Sequence, residues 1–180
     1  SPLGCKSNIT QYAMVWPNPD ATLESIIDNS CSPANIRYFT TPGNTKYYWD
    51  FGDGEKLQTT SFNTSHIYTV KDFTDTFYIA KVITESSLHC VDSAFLSVNV
   101  YAKPDADFIV TPTIDTFPDR MFEIYNQTKG TRWNYNWTLG DGRVLNVISP
   151  GPVQYEAPGN YSIVLTASSP QCSDSASNTV

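Results

Sequence analysis

The four cysteines offer the clearest chemistry in this chain, because a thiol can form a disulfide, bind a metal or act as a nucleophile. They stand at positions 5, 31, 90 and 172, and no two of them form a Cys-x-x-Cys pair. With only two histidines present, this spacing disfavours a zinc site. Widely spaced single cysteines in a chain rich in Ser, Thr and Asn are typical of structural disulfides in an oxidising compartment. We therefore expect an exported protein.

The sequence offers few residues for catalysis. His66 and His89 are the candidates for a general base, and neither belongs to a nucleophile elbow or another spaced catalytic motif. The glycine-rich turns lack the patterns that bind phosphates. The sequence therefore predicts no enzymatic activity and no cofactor.

One acidic turn is a candidate for calcium. Asp50, Asp53 and Glu55 place several carboxylate oxygens on this turn, and calcium prefers such ligands. A single turn rarely supplies the roughly six to eight oxygens that calcium requires. We therefore favour the alternative, in which Asp53 accepts hydrogen bonds from nearby backbone amides, and predict no metal.

Charge and hydropathy limit the partners. The formal net charge is −7, which disfavours nucleic acid and anionic membranes as partners. No apolar run approaches the roughly 18 to 20 residues that span a bilayer, so direct membrane insertion is not expected. Hydrophobic residues make up 40% of the chain and aromatic residues 13%, enough to form packed cores.

The elements that position these residues repeat along the chain. Cys5 and Cys90 each open a segment that ends in Pro-Asp-Ala, at an offset of 90 − 5 = 85 residues. Trp49 and Trp137 each open a Trp-x-x-Gly-Asp-Gly turn, at an offset of 137 − 49 = 88. The repeat predicts three units, which are a terminal strand of a preceding repeat (1–18), one full repeat (19–102) and a more divergent one (103–180).

Alternating apolar residues predict strands throughout both repeats. One set of side chains, Ala94, Leu96 and Val98, alternates with Phe95, Ser97 and Asn99. Ile163 and Leu165 alternate in the same way with Ser162, Val164 and Thr166. About seven short strands in each 85 residues, with a turn every 8 to 12, are typical of an immunoglobulin-like sandwich. The predicted fold class is all-β, with sandwich domains in tandem.

The turn motif resembles that of the PKD (polycystic kidney disease) domain, which has a Trp-Asp-Phe-Gly-Asp-Gly turn followed by His-x-Tyr. The first repeat has this turn at 49–54 and His66-Ile67-Tyr68 after it, whereas Thr138 and Leu139 replace Asp and Phe in the second. The resemblance implies tandem PKD domains. Its structural motif residues are Trp49, Asp50, Gly52, Asp53, Gly54, Trp137, Gly140, Asp141 and Gly142.

One cysteine stands in Cys31-Ser32-Pro33, and Cys90 and Cys172 each open a Cys-x-Asp-Ser sequence. This combination further resembles the tandem PKD repeats of very long Bacteroidetes surface proteins. These include gliding-motility adhesins exported by type IX secretion. The resemblance implies a stiff stalk in a large exported adhesin or motility-associated protein, at the cell surface or outside the cell. The partners would be other domains of the same chain and a protein or glycan ligand.

PKD domains also resemble modules appended to chitinases and collagenases. The alternative function is therefore an accessory substrate-binding module of a secreted polysaccharidase or protease. It predicts exposed aromatic residues for ligand stacking, namely Tyr47, Trp133 and Tyr135. Trp49 and Trp137 are instead expected in the core between two sheets, with an exposed stacking surface as the competing interpretation.

Two serines stand in a motif that resembles a Bacteroidetes O-glycosylation site. The motifs begin two residues after a cysteine, on an expected surface turn, as Asp92-Ser93-Ala94 and Asp174-Ser175-Ala176. Ser93 and Ser175 are the candidate acceptors.

The implied sandwich limits how the cysteines can pair. Cys31 precedes the second strand, whereas Cys90 and Cys172 lie between the last two strands, and these loops are at opposite ends of such a domain. A disulfide needs Cα atoms within about 7 Å, and a strand separates the ends by about 20 Å. The pair Cys31–Cys90 is therefore disfavoured, and in a head-to-tail array Cys31 should reach Cys172. Cys5 and Cys90 would pair with each other or with cysteines further upstream.

This interdomain bond would act together with the short linker at 102–106. A linker of five residues leaves little freedom between neighbouring domains, and a crosslink removes more of it. The sequence therefore predicts a stiff rod.

Overall fold

The computed structural model describes residues 4, 9–114, 121–130 and 132–180. All of the regular elements in these residues are β-strands, fourteen in number. Across the same residues, the structure has no helix long and apolar enough to cross a membrane.

The first seven strands form one sandwich. Strands β1, β2 and β5 form a three-stranded sheet in the order β1-β2-β5, and the other four form a sheet in the order β4-β3-β6-β7, with every pairing antiparallel. The bounds are β1 (Glu24–Ile27), β2 (Ala34–Phe39), β3 (Lys46–Asp50), β4 (Lys56–Thr59), β5 (Asn63–Tyr68), β6 (Thr76–Glu85) and β7 (Val91–Val100).

The last seven strands repeat this topology. One sheet has the order β12-β9-β8 and the other the order β11-β10-β13-β14. The bounds are β8 (Phe108–Thr111), β9 (Met121–Asn126), β10 (Asn134–Thr138), β11 (Val144–Leu145), β12 (Gly151–Gln154), β13 (Ser162–Ser168) and β14 (Ser173–Thr179). The fold is therefore all-β, with two immunoglobulin-like sandwiches, as the strand pattern predicted.

Each sandwich has a hydrophobic core of its own, built from the inward side chains of alternating strands. Trp49 and Trp137 lie at the same place in the two cores and are 2% and 0% exposed. Truncating a buried aromatic of this size to alanine costs about 3–5 kcal/mol. The indoles therefore hold the two sheets of each sandwich together and are not exposed to a ligand.

The first glycine of each Trp-x-x-Gly-Asp-Gly turn is required by close packing. Gly52 and Gly140 both have φ +82°. A Cβ on Gly52 would lie 2.5 Å from the Ile79 carbonyl oxygen, and one on Gly140 would lie 2.7 Å from the Ser162 nitrogen. Only glycine fits both the conformation and the space.

A tyrosine anchors each of these turns from the opposite sheet. The Tyr68 hydroxyl donates to the Phe51 carbonyl at 2.9 Å, and the Tyr155 hydroxyl donates to the Leu139 carbonyl at 2.8 Å. The paired turns and tyrosines position the loops that follow them, including those at the junction of the two sandwiches.

The described part of segment 1–18 contains no strand. Tyr12, Met14, Val15 and Trp16 are all exposed there. A strand requires a neighbouring strand for its backbone hydrogen bonds. The expectation that this segment completes a preceding repeat stays a prediction.

Candidate functional site: the joint between the sandwiches

A disulfide between Cys31 and Cys172 joins the two sandwiches. Their Cα atoms are 5.9 Å apart, although 141 residues separate them in the sequence. Cys31 lies ahead of β2, whereas Cys172 is buried in the turn between β13 and β14. This is the pairing expected for a head-to-tail array, and it places a covalent bond between the two domains.

Backbone hydrogen bonds hold Cys31 beside the point where the chain leaves the first sandwich. The Ser32 N–H donates to the Tyr101 carbonyl at 2.8 Å, and the Tyr101 N–H donates to the Ser30 carbonyl at 2.8 Å. Cys31 and Tyr101 thus form a short parallel bridge. The crosslink and the linker start from the same place.

Both ends of the linker at 102–106 are tied to a carboxylate. The Ala102 N–H donates to Asp75 of the first sandwich at 2.8 Å, and the Ala106 N–H donates to Asp174 of the second at 3.0 Å. Lys103 forms an ion pair with the same Asp174, at 3.0 Å. Because each end is bonded to a different sandwich, the linker has a defined conformation.

Asp174 is an ionised acceptor at this site. Burial raises the pKa of the Asp174 carboxyl group, but the hydrogen bond from the Ala106 N–H and the charge of Lys103 outweigh this effect. The pKa is therefore below its ordinary value. A carboxylate that accepts a backbone N–H and faces a lysine is stabilised in its charged form. The contact is therefore at full strength at neutral pH.

A loop of the first sandwich is longer than its counterpart and reaches the second sandwich. Tyr68 and Tyr78 stack across this loop and are 78 − 68 = 10 residues apart, whereas the matching pair Tyr155 and Tyr161 are 161 − 155 = 6 apart. The longer loop includes Phe73. The additional residues thus lie where the two sandwiches meet and are not part of the repeated fold.

Phe73 meets a glycine of the second sandwich. Asp72 and Phe73 both have left-handed φ values, 55° and 50°, which are uncommon for residues other than glycine. A Cβ on Gly130 would lie 3.0 Å from the Phe73 Cβ and 2.7 Å from the Trp133 indole nitrogen. That nitrogen donates to the Lys129 carbonyl at 2.7 Å, which fixes the indole beside the contact. We define the joint as this contact, the linker and the disulfide.

Sequence reasoning identified the disulfide and the linker but not Phe73, Gly130, Asp75 or the acceptor role of Asp174. The difference in loop length between the repeats is the signal that could have identified Phe73. Asp75 belongs to no motif, and Asp174 was singled out only within the Asp174-Ser175-Ala176 glycosylation motif, which indicates nothing about a contact with the linker.

The acidic turn is engaged in local contacts. Asp50 and Asp53 each accept the backbone N–H two residues ahead, at 3.1 and 3.0 Å. Asp50 also pairs with Lys56 at 2.8 Å and Asp53 with His66 at 2.6 Å, and both carboxyl groups have lowered pKa values. Among the described residues, no three His, Cys, Asp or Glu side chains are grouped so that they could hold a metal, Glu55 included.

One of the three aromatic residues predicted to stack on a ligand is in the wrong place. Tyr47 is 1% exposed and belongs to the first core, so its prediction as an exposed ligand contact is wrong. Trp133 and Tyr135 are half-buried and line a surface groove with Val147 and Ile148. Only these two remain candidates for binding.

The candidate glycosylation sites lie on strands and not on turns. Ser93 is in β7 and Ser175 in β14, and both residues are exposed. The expected surface turn is corrected, because the chain continues as a strand directly after each cysteine. Modification of these serines stays a prediction.

Cys90 is not paired with another cysteine among the described residues. Cys90 carries a free, half-buried thiol in the part of the chain that is described. Cys5 lies outside the described residues, and so does its predicted pairing.

Two immunoglobulin-like sandwiches in tandem, covalently joined, define the class of protein. Within this class, residues 118–180 match the PKD domain family. The match falls on the repeat in which Thr138 and Leu139 replace residues of the motif. The second sandwich is thus similar to a PKD domain in sequence as well as in fold.

Several solved structures of low sequence identity align with the chain. The fibronectin(III)-like modules of Clostridium thermocellum CbhA are 14% identical, with 89% of this chain and 92% of that chain covered and a TM-score of 0.35. The amphioxus IgVJ-C2 molecule is 14% identical, with 78% of this chain and 89% of that chain covered and a TM-score of 0.37. Murine CEACAM1b is 11% identical, with 89% of this chain and 98% of that chain covered and a TM-score of 0.40. A comparison with curated proteins finds no match.

Proposed function

We propose that the two sandwiches form a non-catalytic structural module, a stiff spacer that fixes the position of whatever lies on either side of it. The observation that carries this proposal is the joint, in which the Cys31–Cys172 disulfide and a linker bonded at both ends act together. With only the disulfide or only the linker, one sandwich could rotate about that single connection. With both connections in place, this rotation is restricted. The PKD match and the immunoglobulin-like sandwiches fit a non-catalytic module of this kind.

The proposed setting is a large exported protein at the bacterial cell surface, where the module is part of the stalk of an adhesin or motility-associated chain. The disulfide supports export, because such bonds persist in oxidising compartments. The partners are the neighbouring domains of the same chain and a protein or glycan ligand displayed at the surface.

Small-angle scattering tests the stiffness directly. We expect the oxidised chain to give one narrow distribution of interatomic distances, and the same chain after reduction of the disulfide to give a broader one. The cores contain no other disulfide among the described residues, so reduction should leave both sandwiches folded, as circular dichroism would report. Free reorientation of the domains in the oxidised chain would overturn the proposal.

The groove beside Trp133 and Tyr135 favours a second candidate, a substrate-binding module. An aromatic ring in a groove can stack on a sugar ring or on an apolar peptide side chain. Co-sedimentation with insoluble chitin, cellulose or collagen tests it, with Tyr135→Ala as the binding variant. Tyr125→Ala is the matched control, because Tyr125 is also on the surface of the second sandwich but outside the groove. Equal sedimentation of the two variants would remove this candidate.

A further inference from the structure

Cys90 and Cys172 occupy the same position in the two sandwiches. Each immediately precedes the last strand of its sandwich, since β7 begins at 91 and β14 at 173. Each is followed two residues later by an aspartate that accepts a backbone N–H from the start of its own domain, Ala21 to Asp92 at 2.8 Å and Ala106 to Asp174 at 3.0 Å. The second sandwich shows the role of such a cysteine, because Cys172 forms a disulfide with Cys31 of the sandwich before it.

The segment ahead of the first sandwich corresponds in sequence to the end of a repeat but differs from it in burial. Pro19-Asp20-Ala21 matches Pro104-Asp105-Ala106, an offset of 106 − 21 = 85 residues. At the same offset Val15 corresponds to Val100, yet Val15 is 87% exposed whereas Val100 is 0% exposed in the first core. A valine that the repeat places at a core position is therefore exposed in this segment.

We propose that Cys90 forms a disulfide with a preceding sandwich of the same chain, through a cysteine just ahead of the second strand of that sandwich. The proposal deepens the proposed function, since it makes the locked joint a repeated device. Forming the bond joins two thiols into one S–S and releases two protons and two electrons. A disulfide oxidant, such as an oxidised thiol-disulfide oxidoreductase, takes them up and becomes a dithiol.

The crosslinks would have a direction. In each crosslink, the cysteine ahead of the second strand belongs to the earlier sandwich, and the cysteine between the last two strands belongs to the sandwich that follows it. The second sandwich has the cysteine between its last two strands but none ahead of its second strand, because the sequence has no cysteine between Cys90 and Cys172. A crosslink of this kind can therefore reach the second sandwich but cannot start from it.

Peptide mapping of the intact parent polypeptide tests the proposal. Free thiols are alkylated, the chain is digested without reduction, and the peptide bonded to Cys90 is sequenced. The expected partner is a cysteine upstream of Cys5, at a separation close to the 141 residues between Cys31 and Cys172. Alkylated Cys90, or Cys90 bonded to Cys5, would overturn the proposal.

Two variants of the same parent chain make the test specific. Cys90→Ser should leave one upstream cysteine newly alkylated, whereas Cys5→Ser should leave the Cys90 bond unchanged. Loss of the Cys90 bond in Cys5→Ser would assign the partner to Cys5 and overturn the proposal. The Cys31–Cys172 peptide in the same digest separates the two ideas, because its presence beside a free Cys90 contradicts only this inference. If Cys31 and Cys172 are also free, the proposed function fails as well.

Discussion

Asp174 accepts the backbone N–H of Ala106 at 3.0 Å, so that a side chain of the last strand holds the chain where it enters the same sandwich. Asp174 also pairs with Lys103 and stands two residues after Cys172. The covalent crosslink and the electrostatic contact with the linker therefore meet at one end of β14. Rotation of one sandwich against the other would strain the crosslink, whereas the Ala106 contact fixes where the linker enters the second sandwich.

Removal of the disulfide should loosen the linker without unfolding either core. In the double variant Cys31→Ser with Cys172→Ser, we expect the Ala106 amide proton to exchange with solvent at least about tenfold faster, because the crosslink no longer limits opening of the joint. Hydrogen exchange followed by NMR measures this rate. Cys90→Ser is the matched control, since Cys90 takes no part in the Cys31–Cys172 crosslink and its replacement should leave the rate unchanged. An unchanged rate in the double variant would mean that the linker contacts alone hold the joint.

A methyl group at Gly130 should open the joint. Gly130→Ala places a Cβ 2.7 Å from the Trp133 indole nitrogen and 3.0 Å from the Phe73 Cβ, so one of these side chains must move. Gly142→Ala is the control, because it has a comparable φ, +94° against +88°, and nothing within 4 Å. Both variants should lose about 1–2 kcal/mol from backbone strain. Only Gly130→Ala should also broaden the distance distribution in small-angle scattering, and equal distributions would exclude the Phe73 contact as a determinant of stiffness.

Much of the fold could be predicted from local patterns, because strand alternation and the repeated turns are encoded within a few residues. The position of Tyr47 could have been predicted as well. Trp49 was assigned to the core, and residues two apart on a strand share a face, so Tyr47 must also point inward.

The joint was only partly predictable. The Cys31–Cys172 bond followed from the ends of the sandwich at which each loop lies. The Phe73–Gly130 contact depends on two left-handed residues in an irregular loop, and no periodic pattern reports such a conformation. The acceptor role of Asp174 depends on where the linker passes, which is a property of the assembled pair.

Acid should weaken the linker contact. The pKa of Asp174 is below its ordinary value of about 3.9, so its stabilising effect is fully present above that value and is lost as the pH falls through the lower pKa of the folded state. We expect the Ala106 amide to lose protection only below about pH 4. In Asp174→Asn this pH dependence should disappear at Ala106 and persist at Ala21, which is held by Asp92. A titration of Asp174 at or above its ordinary pKa would contradict the assigned contacts.

Glycine substitution in the tryptophan motif should unfold one sandwich at a time. Gly52→Ala forces a Cβ to within 2.5 Å of a backbone oxygen of β6, and we expect a cost of about 2–5 kcal/mol from strain and overpacking. Gly54→Ala, at φ +102° with nothing within 4 Å, should cost only about 1–2 kcal/mol. Urea unfolding followed residue by residue with NMR should show the first sandwich melting early in Gly52→Ala and the second in Gly140→Ala, because each has its own core. A common shift of all residues would instead mean that the joint makes the two sandwiches unfold as one cooperative unit.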